Sequence, residues 1–557
     1  MPRLAALLLL LVAPTAFAQT PPREALTARN GMVVAVCPIA AQIGADVLKA
    51  GGTAVDAAVA VAFAEAVTWP EAGNIGGGGF MLVRPGDGSP PAFFDYRETA
   101  PAAATAEMFA KGIDYQSHTV AGVPGTVRGL ELAHRRFGKR PWKELVLPAV
   151  KLAADGFTVD GPLAGRLNGV LTGERVRNEE FRRVYGKPGG GRWQPGDTLK
   201  LPDLANTLRL VAERGADGFY LGENAERLAA EMKAGGGLIT AADLAGYRAK
   251  ERTPLRGTYR GFEVIAAPPP SSGGTALLEA LNVLERFDIA KHPRQSPEAT
   301  HLIAEAMRRA FADRARYLGD PDFVAVPPHL TAKEYAAKLA ATIDPAKATP
   351  SASLTPEIAV ADGGDSTTHF SVVDRDGTAV ANTYTLENAF GNKVVVRGGG
   401  YILNNEMTDF NHRPGVTTRT GLVGTPANVV APGKRMLSSM TPTILAKDGK
   451  PWLVTGSPGG RTIINTVLCV VVNAVDYRMP VQRAVDEPRL HQQWLPDRIV
   501  LERMRDRPEL AEKLKAMGHA VTTSGSQGDA HTIWVDPATG LLHGAADRRL
   551  NGKAVGY

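Results

Sequence analysis

Hydrophobic positions change their spacing several times along the chain. Residues 31–36 form a short continuous apolar stretch that predicts a buried strand, and residues 40–50 and 54–67 are Ala-rich and helical in period. Gly51-Gly52 separates the two helices, because glycine accepts the backbone that ends one. Residues 80–83 and 93–96 predict further strands, the first entered through the glycine-rich run GNIGGGG at 73–79. From about 104 to 350 the apolar stripe recurs at helical spacing over 127–137, 204–214, 225–233, 276–286 and 299–317, with one strand at 262–266. Residues 346–366 lose all periodicity and are rich in Ala, Ser, Thr, Pro and Gly, the texture of a linker. Beyond it, 367–373 and 379–386 alternate as a hairpin around Asp374-Arg375-Asp376-Gly377, and 440–446 and 452–456 pair around Asp448-Gly449. Helices are predicted at 461–476 and 508–517, and a last strand pair at 533–536 and 541–544. Strand pairs with covering helices, and no internal repeat, imply a layered α/β or α+β fold.

Composition narrows the function classes. With 557 residues, 44% hydrophobic and 22% charged, the chain has ample core-forming material, and its 60 Gly and 40 Pro follow no period that would indicate a collagen-like or low-complexity protein. The net charge of +6 comes from 63 basic and 57 acidic residues interspersed throughout, so no basic stripe offers a nucleic-acid footprint. Residues 1–18 differ in kind: Arg3, an unbroken apolar run over 4–12, then Ala16-Phe17-Ala18, the layout of a cleavable export signal. A nine-residue run rises only about 14 Å as a helix, too short for a bilayer. An exported protein is therefore expected, in the bacterial periplasm or secreted, with no stable membrane anchor. The two cysteines, Cys37 and Cys469, lie in apolar runs where buried, unreactive thiols are usual, and whether they pair is left open by their spacing. No Cys/His spacing suggests a metal site.

The linker runs directly into a strand whose first residue is Thr367. Cleavage before that residue would place a nucleophilic hydroxyl and a free α-amine on one residue, and an amine with a reference pKa near 8 serves as the base for its own hydroxyl. Downstream, Gly459-Gly460 enters the helix at 461–476 and offers two unobstructed backbone N–H groups near a helix N-terminus, an arrangement suited to an oxyanion.

Seven segments in this order, GNIGGGGFMLV, FDYRETAP, PPPSSGGT, TTHFSVVD, NNEMTDF, LSSMTPT and GSPGGRTIINT, resemble the γ-glutamyltranspeptidase (glutathione hydrolase) family of N-terminal-nucleophile hydrolases. The resemblance spans essentially the whole mature chain and implies an αββα four-layer sandwich. It implies autocatalytic cleavage between Ser366 and Thr367, giving a large subunit (19–366) and a small subunit (367–557) that stay together as a heterodimer. Thr367 would be the nucleophile, Thr385 the threonine that hydrogen-bonds to it, and Gly459 and Gly460 the oxyanion donors. Arg97 matches the arginine that binds the donor's α-carboxylate, a task that suits a bidentate guanidinium. Ser438 and Ser439 match its hydroxyl partners, and Glu406 and Asp409 match the residues facing the α-ammonium. Glu387 stands where family members carry Asn or Glu, and a third carboxylate there favours the ammonium further.

The implied reaction is two-step acyl transfer, from glutathione or a related γ-glutamyl donor to water or to an amino acid or dipeptide, with no metal or organic cofactor. An alternative within the same fold is a cephalosporin or glutaryl acylase, or a poly-γ-glutamate-cleaving relative. An acylase whose substrate lacks the ammonium has no use for Glu387, Glu406 and Asp409 together. An unprocessed, non-enzymatic binding protein is a third reading, disfavoured by the presence of Thr367, Thr385 and Gly459-Gly460. Residues 411–432 are long enough to be a lid over the pocket. Thr420 stands where lidded relatives often have an aromatic residue at the mouth, so a lid that shields the acyl-enzyme poorly from water is expected.

Overall fold

Two seven-stranded antiparallel sheets lie face to face between layers of helix. The computed structural model describes residues 24–173, 175–355, 358, 361–362, 368–550 and 552–557. The predicted signal at 1–18, and Ser366 and Thr367, lie outside the described residues. One sheet has the order Lys553–Gly556, Met32–Ala35, Thr368–Val373, Ala379–Thr385, Gly78–Arg84, Ala92–Tyr96, Lys250–Arg252. The other runs Leu26–Ala28, Leu542–Ala546, His531–Val535, Lys450–Thr455, Thr443–Lys447, Phe262–Ala266, Leu255–Tyr259. Segments from before and after residue 366 thus sit side by side within each sheet.

Alternation along the central strands builds the layers. In Met32–Ala35 and Gly78–Arg84, Val33, Ala35, Met81 and Val83 join the core under the helices Pro38–Lys49 and Ala54–Thr68. Met32, Val34, Phe80 and Leu82 join Ile444, Leu453, Val454 and Ile533 of the facing sheet. Strands covered on both faces are buried throughout, which is why they read as continuous apolar runs in the sequence. The outer face of the second sheet is covered by Gly273–Leu284 and Thr462–Val475, with Pro297–Tyr317 packed behind them. Each fully buried Val, Leu or Phe contributes roughly 1.5–3 kcal/mol, so these two cores dominate stability.

Local chemistry fixes the entry to the first sheet. Thr53 and Asp56 form a reciprocal capping box at the start of Ala54–Thr68, and Asp374 of the hairpin turn accepts the Ala54 N–H at 2.8 Å. That single carboxylate ties the helix N-terminus to the strand that begins at Thr368. The second hairpin turns through Asp448 (φ 50°) and Gly449 (φ 73°), left-handed at both central positions, as a two-residue hairpin requires.

The structure departs from the sequence expectations in several places, four of which have a plain physical cause. The helix Trp142–Asp155 has Pro148 in its interior, which masks its period. The strands Lys250–Arg252 and Leu255–Tyr259 are the polar edges of the two sheets, with Pro254 between them, and carry too few apolar residues to be read. The linker contains a four-residue helix, Ser351–Leu354, held because Ser351 N donates to Asp497 (2.7 Å) and Trp494 Nε1 donates to Ser351 O (3.0 Å). The strand predicted to start at 440 starts at Thr443, because Met440 N instead donates to Ser438 Oγ (3.1 Å). Cys37 and Cys469 are both buried and free.

Candidate active site

The site forms where the strand Ala379–Thr385, the Glu406–Asp409 turn, the 437–440 segment and the start of the helix Thr462–Val475 converge. A cavity of about 110 Å³ there is lined by Arg97, Thr385, Glu387, Glu406, Asp409, Ser438, Ser439 and Gly460. The structure therefore brings together eight of the sequence-predicted residues, and Gly459 lies beside Gly460 in the chain. Thr367 lies outside the described residues. In the register of the two hairpin strands Thr368 faces Tyr384, so Thr385 lies one pairing step beyond the first described residue.

Arg97 follows the strand Ala92–Tyr96 and is 1% exposed. Its Nη1 contacts Glu406 and lies 3.7 Å from Glu98, its Nη2 contacts Asp409, and its Nε and Nη2 donate to the carbonyls of Met436 and Leu437, each at 3.3 Å. Glu406 and Asp409 are the ends of a single 3₁₀ turn, which brings residues three apart onto one face. Asn404 sets this turn: its Oδ1 accepts the N–H groups of Gly122 (2.8 Å) and Glu406 (3.0 Å), and its Nδ2 donates to the carbonyls of Gly76 and Gly122. The first glycine-rich run is thus a surface against which the carboxylate turn is locked.

Around Arg97 itself the carboxylates outnumber the guanidinium, since Glu98, Glu406 and Asp409 all lie beside it. Burial pushes the Glu98 carboxyl up to about 8 in spite of Arg97, and burial together with Glu98 and Asp409 holds Glu406 well above the usual carboxylate range. Burial works against the Arg97 charge, and Glu406, Asp409 and Glu98 more than offset it, so its pKa is raised. Glu387 holds left-handed backbone (φ 75°), its N–H donates to Thr385 Oγ1 (2.8 Å), and its Oε2 accepts from Asn405 Nδ2 (2.6 Å). The serine pair is positioned by the PPPSSGGT segment: Ser272 donates both its N–H (2.8 Å) and its hydroxyl (2.5 Å) to Ser438 O, and Pro270 O accepts the Ser438 N–H (3.0 Å). Ser439 Oγ accepts from Arg314 Nη2 (3.0 Å), and Arg314 Nε donates to Ser272 Oγ (2.8 Å).

Gly459 (φ 129°) and Gly460 (φ 54°) hold backbone that other residues adopt only under strain, and a Cβ on Gly459 would meet Thr462 Oγ1 at 2.4 Å. Thr462 turns its hydroxyl and its N–H back to Gly459 O (2.7 and 3.0 Å). Among the described residues no acceptor takes the Gly459 or Gly460 N–H, so both donors remain available at the helix start.

Several contributing residues were not singled out from sequence. Glu98 and Asn405 lie inside recognised motifs, but neither motif reveals that they support Arg97 and Glu387. Arg314 sits in the helix Pro297–Tyr317, and nothing in that helix's apolar period distinguishes it from the neighbouring arginines. Residues 411–432 contribute Asn411, His412, Val423, Thr425 and Asn428 to the cavity wall. Thr420 is exposed and does not line the cavity. The segment is pinned by Asn411 N to Asn428 O (2.8 Å), Thr425 Oγ1 to Ala315 O (2.5 Å) and Asn428 Nδ2 to Asp409 O (2.6 Å).

One buried group that could hold a metal, His301, Glu305 and His519, lies elsewhere. Its donors are spent on each other: His301 Nδ1 and His519 Nε2 share a hydrogen bond (2.8 Å), and Glu305 bonds to Arg308 and Arg309. Burial, with Arg308 nearby, lowers His519 to about 4. A neutral histidine pair beside two arginines is a structural network rather than a cation site.

Comparison with known proteins gives a consistent result. The γ-glutamyltranspeptidase family profile matches residues 40–557. A glutathione hydrolase proenzyme of Escherichia coli (strain K12) is 48% identical over 542 residues, covering 95% of this chain and 92% of that protein. A cephalosporin acylase structure from Bacillus halodurans superposes with a TM-score of 0.85 at 28% identity, over 98% of this chain and 99% of that one. The γ-glutamyltranspeptidase structure from Helicobacter pylori is 40% identical with a TM-score of 0.55, covering 60% of this chain and 95% of that one.

Proposed function

The chain belongs to the γ-glutamyltranspeptidase family, and on that premise we propose how its own residues cleave and transfer γ-glutamyl groups. The Thr367 hydroxyl gives its proton to its own α-amine and attacks the γ-amide carbonyl of glutathione or a related donor. The N–H groups of Gly459 and Gly460 receive the negative charge that develops on the carbonyl oxygen. The amide C–N bond breaks, the departing nitrogen takes the proton, and a γ-glutamyl ester of Thr367 remains. Water then yields glutamate, or the amine of an amino acid or dipeptide yields a new γ-glutamyl amide, with the same α-amine acting as base. Thr385 orients the nucleophile.

The observation that carries this reading is the pairing of Arg97 with several carboxylates inside one cavity that also contains Thr385 and Gly460. A γ-glutamyl group ends in a zwitterion, which exchanges with such an internal ion pair: its α-carboxylate takes Arg97, Ser438 and Ser439, and its ammonium takes Asp409, Glu406 and Glu387. Each buried charge therefore keeps a partner in both states, which avoids the cost of stranding one.

Maturation by cleavage between Ser366 and Thr367 creates the nucleophile's free amine and yields subunits 19–366 and 367–557, held together by the shared sheets. Export directed by residues 1–18, to the periplasm or the medium, completes the proposal. No helix among the described residues is long and apolar enough to cross a membrane. The test is the denatured mass and N-terminal sequence of the purified protein. Two chains, the smaller beginning Thr-Thr-His-Phe-Ser, are expected, and Thr367→Ala should give one uncleaved chain without turnover. Cleavage or activity in that variant would defeat the assignment.

The likeness to the Bacillus halodurans cephalosporin acylase keeps a second reading in view. Turnover of a glutaryl anilide faster than the γ-glutamyl anilide would favour it.

A further inference from the structure

Residues 456–460 join the strand Lys450–Thr455 to the helix Thr462–Val475 and carry both candidate oxyanion donors. A peptide unit is planar, and in its trans form the C=O and the N–H point in opposite directions. The direction of the Gly459 N–H is therefore set by where Pro458 O is held, and that of the Gly460 N–H by where Gly459 O is held. Glycine accepts both signs of φ, so a peptide unit beside one turns over cheaply unless something anchors it. Gly459 (φ 129°) and Gly460 (φ 54°) both use that freedom.

A hydroxyl anchors each carbonyl. Ser457, fully buried, donates its hydroxyl to Pro458 O at 2.7 Å. Thr462 donates its hydroxyl (2.7 Å) and its N–H (3.0 Å) to Gly459 O. The Ser457 proton has a fixed direction because its oxygen already accepts the Asp529 N–H at 2.9 Å. Asp529 is buried and held in turn: its Oδ2 lies 3.0 Å from His531 Nε2, and its Oδ1 accepts the Leu550 N–H at 3.2 Å. Gly528 lies against both anchor atoms, since a Cβ there would meet Ser457 Oγ at 2.5 Å and Pro458 O at 3.0 Å. Neither Ser457 nor Thr462 lines the donor cavity, which is bounded at this point by Gly460, Arg461 and Ile463.

We propose that Ser457 and Thr462 are positioning residues for the oxyanion donors: without touching substrate, they aim the Gly459 and Gly460 N–H groups by holding the opposite ends of the same peptide units. That role rests on the γ-glutamyl reading of the site, in which the glycine pair receives the developing charge. The two anchors are unequal. Among the described residues only the Ser457 hydroxyl donates to Pro458 O, whereas Gly459 O keeps the Thr462 N–H when the Thr462 hydroxyl is removed. Binding of the donor's α-carboxylate and ammonium does not use either anchor. Their effect is confined to the stage at which charge builds on the carbonyl oxygen.

The experiment uses the matured enzyme, with γ-glutamyl-p-nitroanilide as donor and two inhibitors that share its amino-acid end. L-norvaline has the α-carboxylate and ammonium but no oxygen for the glycine pair. The γ-boronic acid analogue of glutamate forms a B–O bond to Thr367 as the hydroxyl proton passes to the α-amine, leaving a negative tetrahedral boronate. Ser457→Ala should lower kcat and raise the boronate Ki by about tenfold, the effect of one lost hydrogen bond and less than the loss of an oxyanion donor outright. The norvaline Ki should stay within about twofold, and Ser457→Cys, a weak donor of similar size, should fall between. Thr462→Val should lose about threefold in the same two quantities, and Thr462→Ser should restore them. Unchanged kcat and boronate Ki, or equal weakening of boronate and norvaline, would overturn the positioning role. Should Ser457→Ala fail to mature, the Thr462 pair carries the same comparison, and a Thr462→Val protein that also fails to mature shows a structural role and overturns it too. A wild type that turns over no γ-glutamyl anilide defeats the γ-glutamyl reading instead, before any variant is compared.

Discussion

Replacing Glu65 with Gln should make the protein more stable in alkali while leaving it nearly unchanged in mild acid. Glu65 lies in the helix Ala54–Thr68 with no exposure, its Oε1 has no hydrogen-bond partner, and its Oε2 meets the Tyr384 hydroxyl at 3.2 Å. Burial pushes this carboxyl from 4.5 up to about 8; the Tyr384 hydrogen bond opposes the shift and Asp529 adds to it. A group with a raised folded-state pKa contributes stability that is fully present below its unfolded pKa and is lost as pH rises through the folded one. The window is therefore pH 4.5 to about 8. A shift of about 3.5 units at about 1.4 kcal/mol per unit gives a loss on the order of 5 kcal/mol by pH 9 and about 3 kcal/mol at pH 7. The neutral Gln side chain has the same shape and no proton to lose, so it removes that dependence. Urea unfolding midpoints of parent and Glu65→Gln should agree within about 1 kcal/mol at pH 5 and diverge by several kcal/mol in the variant's favour at pH 9. A difference that stays constant with pH, or one favouring the parent in alkali, would refute the reasoning.

Two further outcomes concern the donor pocket. Arg97→Lys leaves one compact ammonium where a planar fork meets Glu406, Asp409 and the donor's carboxylate, so kcat/KM for a γ-glutamyl anilide should fall by about 100-fold; a change under threefold would show that Arg97 does not hold the donor. Burial raises the Glu98 carboxyl to about 8, so it is protonated and adds little to the attraction of an ammonium in mild acid. Donor kcat/KM should rise between pH 6 and 9 as Glu98 ionises, and Glu98→Gln should flatten the rise; a parent profile flat over that range would count against this origin.

Much of the architecture was legible because its central strands are buried on both faces and its first helices are Ala-rich. Segments such as Gly78–Arg84 and Ala54–Thr68 leave little choice of period. The sheet edges were not, since Lys250–Arg252 and Leu255–Tyr259 pair on one side only and carry the charges and the intervening proline that edges tolerate. The candidate binding residues could be singled out as a set through motif order, and one cavity gathers them. Their supports were not: Arg314 reaches Ser439 from a helix some 125 residues away in sequence, and Ser272 reaches Ser438 across 166. Such partnerships depend on tertiary placement, which no local pattern encodes.

The buried, unpaired cysteines have a consequence for handling and for biology. Burial pushes the Cys37 thiol up to about 11, its Sγ donates to Thr68 Oγ1 at 3.1 Å, and Cys469 is enclosed in the helix Thr462–Val475. A proposed donor such as glutathione is itself a thiol, yet it meets no disulfide to reduce and no exposed thiol to exchange with. The fold thus holds no disulfide on which the redox state of its proposed substrate pool could act.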